Sequence, residues 1–411
     1  MATIRPFKAL RPKKELSDKI AALPYDVYNR EEAAKKVEND RYSFLRIDRP
    51  ETQFPKNQDM YAPEIYKKAA EMLEEMQKEG SFVQDAKACY YIYELTMDGR
   101  SQTGLVAASA VDDYINNIIR KHENTRKEKE ADRIRHVDTC NAQTGPIFLA
   151  YNSNPDVKKI LEGIKEEKAD VDFTADDGIR HRVWVIDNDN DIDKLTGLFA
   201  KMPNTYIADG HHRAASAVAV SLKRREENPE YTGDEEFNYF LSVLFDADEL
   251  KILDYNRVIK DLNGNTEEEF ISKLSEKFEI GQPQTDAVHP SEKGEMGLYI
   301  NGQWYRLTVK REFEVNDPVE GLDVAYLQRE VLAPILGITD PSTDNRIDFV
   351  GGIRGLSELE RRCGEDAKAA FAMYPTDIHE LFAVADARRL MPPKSTWFEP
   401  KLRSGLFIHK I

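Results

Sequence analysis

Between Asn204 and Arg225 an apolar run, Asn-Thr-Tyr-Ile-Ala208, passes through Asp209-Gly-His-His-Arg213 straight into an alanine-rich stretch. The pattern predicts a short strand over 204–208 and a helix over 214–225, joined by one tight loop. No other feature constrains the fold as much, because a strand that hands its chain directly to a helix requires a sheet with helices laid against it. Ala214, Ala215 and Ala217 are small enough to let that helix lie close to the sheet.

The surrounding sequence extends the same pattern. An extended Arg5-Pro-Phe-Lys-Ala-Leu10 precedes a turn at Leu23-Pro-Tyr-Asp26 and a polar helix near 30–38, and an amphipathic helix over 60–78 stops at Gly80. Strands over 88–97 and 102–112 flank Asp98-Gly99, a hairpin dipeptide. A densely charged helix over 126–138 and an apolar strand over 145–151 follow, then a helix, strand, helix and strand alternation over 156–187. Strands over 237–245 and 250–258 close this part. Residues 265–315 read as a small α+β insertion with a hairpin on Asn301-Gly302, and the last hundred residues alternate again. The fold class expected is α/β (mixed α+β), divided into an N-terminal segment 1–80, a core 81–262, an insertion 263–320 and a C-terminal segment 321–411 closing on the core.

Composition limits the partners. The 411 residues carry 58 Lys+Arg against 74 Asp+Glu, a net charge of −16 that disfavours a general nucleic-acid or acidic-membrane surface. No stretch of about 18 apolar residues occurs, and the N-terminus lacks an apolar signal-peptide core, so a cytoplasmic protein is expected. Three scattered cysteines, Cys89, Cys140 and Cys363, show no zinc or redox spacing. The sign-alternating stretch Lys121 to Arg135 reads as a solvated helix face.

Chemistry concentrates in the 209–213 loop. A helix N-terminus presents free backbone N–H groups and the positive end of its dipole, a combination suited to phosphate. Gly210 permits close approach, Arg213 can fork onto phosphate oxygens, His211 and His212 can donate hydrogen bonds or move protons, and Asp209 can hold a metal or orient a histidine. The bland alternative is an ordinary turn capped by Asp209, and a zinc site at His211-His212 is a further one. Lys394-Ser395-Thr396 and Lys401 can neutralise phosphate or form a lid, or else lie on a solvated strand; no GxxxxGK precedes them. Arg5 and the Tyr25-Asp26 pair suit an amino acid's carboxylate and ammonium, although an Asx turn explains Asp26 nearly as well.

Asp209-Gly-His-His-Arg-Ala-Ala215 resembles the phosphate-binding motif of the ParB/sulfiredoxin-like superfamily. Sulfiredoxins carry a cysteine where this loop has histidine, so the double-histidine form is closer to the free L-serine kinases. The chain as a whole resembles the domain of unknown function 1015 family through Arg5-Pro6-Phe7, Pro24-Tyr25-Asp26-Val27, His122-Glu123-Asn-Thr125, Pro146-Ile-Phe148, the 209–213 loop and Met391-Pro-Pro-Lys-Ser-Thr-Trp-Phe-Glu-Pro-Lys-Leu402. Asn256-Arg257 departs from the His-Arg expected there.

The resemblance implies a ParB/sulfiredoxin-like core with large N-terminal, inserted and C-terminal elaborations. It implies phosphoryl transfer from ATP or ADP, with Mg²⁺, to the hydroxyl of free L-serine. Glu123 then resembles the serine-activating base of the kinases, with His122 beside it and the spacing to Asp209 enlarged by an insertion; merely opening the charged helix is the equal alternative. Asp209 would take the Mg²⁺, and Gly210, His211, His212, Arg213, Lys394, Ser395, Thr396 and Lys401 the phosphates. The expected partners are a nucleotide and a small hydroxyl amino acid, without membrane or nucleic acid; a homodimer is allowed. The rival reading is a nucleotide-dependent switch of the ParB type, which closes on DNA with CTP.

Overall fold

The computed structural model describes residues 1–411, which divide into two compact units, Met1–Leu250 with Pro400–Ile411, and Lys251–Glu399. Both are mixed α/β. No helix is long and apolar enough to cross a membrane.

The first unit is built on a nine-stranded sheet. Its strands are β1 (Ile4–Arg5), β2 (Tyr90–Met97), β3 (Arg100–Ala110), β4 (Ile119–Arg120), β5 (Ile147–Tyr151), β6 (Val171–Thr174), β7 (Arg180–Ile186), β8 (Thr205–Asp209) and β9 (Tyr239–Asp246). They lie in the order β4-β8-β5-β9-β3-β2-β7-β6, with β1 also paired to β3. β2 and β3 form the expected hairpin, with Asp98 and Gly99 at φ 52° and 77°, the doubly positive pair of a type I′ turn. β8 runs parallel to β4 and antiparallel to β5, which is itself parallel to β9.

Helices α1 (Pro63–Lys78), α2 (Lys127–Cys140), α3 (Pro155–Lys165), α4 (Asp189–Phe199) and α5 (His211–Glu227) belong to this unit. Ala214, Ala217 and Val218 of α5 join Ile147, Leu149, Ile207 and Leu244 in one buried cluster, so the small residues do bring the helix onto the sheet. Ser404 bonds to Ala22, Ile408 to Leu10 and His409 pairs with Gln143, which returns the last twelve residues to this unit.

Two expectations need correction. Residues 156–187 form one helix and then the antiparallel pair β6–β7, because Gly178, at φ 80°, closes a turn where a second helix was read. The charged helix is not solvated throughout: Arg133, His136 and Val137 of α2 are buried, on the side-chain stripe that i, i+3 and i+4 share.

The second unit has a six-stranded antiparallel sheet of β10 (Tyr255–Ile259), β11 (Phe278–Ile280), β12 (Glu295–Ile300), β13 (Gln303–Val309), β14 (Ile347–Gly351) and β15 (Ala369–Met373), ordered β11-β13-β12-β15-β10-β14. β12 and β13 turn on Asn301-Gly302, as the sequence suggests. Asn256, in β10, is buried and accepts the Met373 N–H at 2.8 Å, a structural role.

Packing at the centre of the first sheet is tight enough to test. A Cβ on Gly104 of β3 would lie 2.4 Å from Val243 Cγ1 and 2.7 Å from Phe245 Cζ, both on the neighbouring β9. Gly104→Ala is therefore expected to lower stability by about 1–3 kcal/mol, read as a lower urea midpoint at constant slope; an unchanged midpoint would contradict this packing.

Candidate functional site

The site forms where β8 ends. Gly210 adopts φ 94°, a left-handed conformation that an L side chain resists, and α5 starts at the next residue. His211, His212 and Arg213 thus occupy the first helical turn, not a loop before it. No side chain caps α5, so the first N–H groups at its positive end carry no side-chain cap.

Asp209 turns back on this junction. Its Oδ1 accepts the Gly210 N–H at 2.7 Å and its Oδ2 the Lys401 ammonium at 2.7 Å. Burial works against charge here, but Lys401, then Arg213 and the Gly210 N–H, outweigh it and hold the carboxyl down to about 2. Lys401 therefore lies beside the 209–213 segment, across 192 residues of chain.

Behind the helix start, His122 and His211 are 2% and 6% exposed, with ring centroids 4.5 Å apart and planes at 90°. Burial pushes His122 down to about 4 against the pull of Asp209 and its hydrogen bond to the Ile207 backbone. It also drives His211 well below the usual histidine range, helped by His122. Both rings are neutral at pH 7. His122 Nδ1 and His211 Nε2 are buried without a hydrogen-bond partner, while His211 Nδ1 lies 3.9 Å from Glu123 Oε2. Glu123, on the short connection between β4 and α2, is partly exposed. His212 points elsewhere, and its Nε2 accepts the Arg126 N–H at 2.9 Å.

Arg213 Nη1 donates to the Pro146 carbonyl at 3.1 Å, and its Nη2 is buried without a partner. Its guanidinium lies 5.6 Å from the ring of Tyr25, which also has Arg133 at 4.2 Å. Burial and Asp26 push the Tyr25 hydroxyl up to about 12. Tyr25 and Arg133 are walls of two cavities. One, of about 30 Å³, also borders Arg213; the other, of about 130 Å³, borders Asp26, Tyr66 and Lys129.

Of the residues singled out in the sequence, His122, Glu123, Asp209, Gly210, His211 and Lys401 meet at this junction, and Arg213 carries it to Tyr25 and its neighbour Asp26. Arg5 is engaged otherwise: it pairs with Glu236 at 2.7 Å, donates to the Asp234 carbonyl and stacks 3.6 Å over Tyr239. Lys394, Ser395 and Thr396 belong to the second unit. There Ser395 Oγ donates to the Pro392 carbonyl at 2.6 Å, and Lys394 Nζ sits 5.7 Å over the Tyr255 ring. Arg133 was not singled out from the sequence; the spacing of Arg133, His136 and Val137 within a charged run was the available signal.

The family profile described as protein of unknown function, DUF1015, matches residues 4–325. The chain belongs to that family. A comparison with curated proteins gives no match. Among solved structures, similar chains include a free serine kinase in complex with AMP, at 16% identity and a TM-score of 0.36 over 74% of this chain and 91% of that one. A conserved hypothetical protein from Pyrococcus furiosus aligns at 14% identity and TM-score 0.35, over 74% and 94%. SbnI with a C-terminal truncation, from Staphylococcus aureus, aligns at 11% and 0.38, over 74% and 86%. The family profile, not these distant likenesses, places the chain.

The buried rings dictate a pH response. His122 titrates near 6.5 unfolded and near 4 folded, so between those values the unfolded chain binds the extra proton and stability falls as pH is lowered. Asp209, held from 3.8 down to about 2, adds a further loss between about pH 4 and 2. Urea midpoints are expected to drop across pH 6.5 to 4, and His122→Gln to flatten that slope by up to one proton, about 1.4 kcal/mol per pH unit. Equal slopes in both proteins would refute the depressed histidine.

Proposed function

We propose that the protein is a small-molecule phosphotransferase: it moves the terminal phosphoryl group of ATP or ADP to the hydroxyl of a small amino acid, free L-serine first among the candidates, giving O-phosphoserine. The observation that carries this reading is the uncapped start of α5 at Gly210, flanked by the cations Lys401 and Arg213 and by the Glu123 carboxylate. The resemblance of the 209–213 motif to that of the serine kinases supports the same assignment.

Backbone N–H groups at the start of α5 receive phosphate oxygens, and the helix dipole favours their charge. Lys401, held at the strand end by Asp209, and Arg213, with its unpartnered Nη2, offset charge on the transferring phosphoryl group. Glu123 orients the acceptor hydroxyl and takes its proton as the new P–O bond forms and the bond to the leaving nucleotide breaks. His211, neutral and 3.9 Å from Glu123, positions that carboxylate. Tyr25, Asp26 and the 130 Å³ cavity offer the acceptor an aromatic wall and a carboxylate for its ammonium. Lys394, Ser395 and Thr396 have no part in this account.

Mg²⁺ ordinarily enters such reactions with the nucleotide, held by one or two carboxylates, water and the phosphates. Asp209 fits that duty poorly, because one carboxylate oxygen takes the Lys401 ammonium and the other the Gly210 N–H. No step here is routed through the metal at Asp209.

Phosphorus NMR of the purified protein with Mg²⁺, ATP or ADP, and a pool of free amino acids tests the reading. A new monoester resonance assigned to phosphoserine is expected, with Glu123→Gln lowering its rate at least 100-fold. Arg213→Ala is expected to weaken nucleotide binding about 10- to 100-fold. Nucleotide binding without consumption of the donor would replace the phosphotransferase with a nucleotide-dependent switch.

A further inference from the structure

We propose that His122, Glu123 and His211 form a binding site for one divalent transition-metal ion of the zinc class. The donor atoms of these three residues all lie within 4.8 Å of one another. The zinc considered in the sequence at His211-His212 takes a different set here, because His212 faces Arg126 and His122 supplies the second imidazole.

Three observations carry the assignment independently of phosphoryl transfer. Two side chains more than nine-tenths buried each hold a ring nitrogen with no hydrogen-bond partner, His122 Nδ1 and His211 Nε2. An unsatisfied buried polar atom destabilises the fold, so two in adjacent rings call for a ligand. His122 also bonds to the Ile207 backbone, which matches the arrangement in which a ligating histidine donates its other N–H to a carbonyl and leaves the opposite nitrogen to the metal. The carboxylate of Glu123, partly exposed, closes the third side and leaves an outward-facing position.

The chemistry selects the ion. Two imidazoles and one carboxylate match catalytic zinc sites, which keep a fourth position for water or substrate. Mg²⁺ and Ca²⁺ prefer all-oxygen shells, so they compete poorly for this set. With metal–ligand distances of about 2.0–2.2 Å, the three donors need only draw inward by about an ångström. An ion held there would acidify a bound water or hydroxyl beside the start of α5.

The full-length protein, stripped with a chelator and free of nucleotide, is titrated with Co²⁺ and then Zn²⁺. One equivalent of Co²⁺ per chain, with visible ligand-field absorption that Zn²⁺ abolishes, is expected. His122→Gln and Glu123→Gln should each weaken Zn²⁺ binding at least tenfold in calorimetry. His289→Gln, in the second unit, should bind as wild type does. No stoichiometric cobalt spectrum, or wild-type affinity in the Glu123→Gln protein, would overturn the proposal. Glu123 is partly exposed, so its variant decides the matter even if His122→Gln does not fold. Because nucleotide is absent, a lost phosphoserine signal and a lost metal are separate results.

Discussion

The ion pair between Asp209 and Lys401 organises the first unit's chemistry. It sets a cation beside a helix start that already attracts anions, and it fixes the carboxylate that ends β8. A lone carboxylate at the strand end would repel a phosphate; paired, it serves as the anchor that aims a lysine. The left-handed Gly210 supplies the other half, since only such a residue lets the strand end one step before the helix begins.

Behind that pair two histidines are buried. His122 and His211 sit edge to face, neutral, with nitrogens that no protein group satisfies, while Glu123 meets solvent from the same side. Such a cluster is costly for a fold to keep without a use, because burial charges every unpaired donor or acceptor its full desolvation cost. Tyr25, with the Arg133 and Arg213 guanidiniums 4.2 and 5.6 Å from its ring, extends the polar interior toward the larger cavity.

Much of this was legible in the sequence. The strand-to-helix passage, the Asp98-Gly99 and Asn301-Gly302 hairpins and the helix ending before Gly80 all rest on local backbone preferences, and each is in the structure. The cluster of His122, Glu123 and His211 was visible only as two separate motifs. Their meeting depends on β4 running parallel beside β8, a pairing that no local pattern encodes. Arg133 was read as solvated because sign-alternating charge usually is; burial of its guanidinium against Tyr25 is a tertiary choice. The second helix read between the strands of the β6–β7 pair was a local error, the turn at Gly178 being overlooked. Arg5, placed with the substrate on residue type alone, is taken up by Glu236 and Tyr239, partners more than 200 residues away in sequence.

The return of Pro400–Ile411 to the first unit also sets an order of events during synthesis. The ribosome completes residues 1–250 and then makes the whole of the second unit before Lys401 emerges. At about 5–20 residues per second that interval is on the order of 10 s. During it Asp209 has no ammonium opposite it, and Leu10, Ala22 and Gln143 lack the strand partners that the last residues provide. The nascent protein therefore cannot assemble this junction until the second unit has been made: the unit that starts first waits for the one that follows it, and its cation arrives only when the second unit is already off the template.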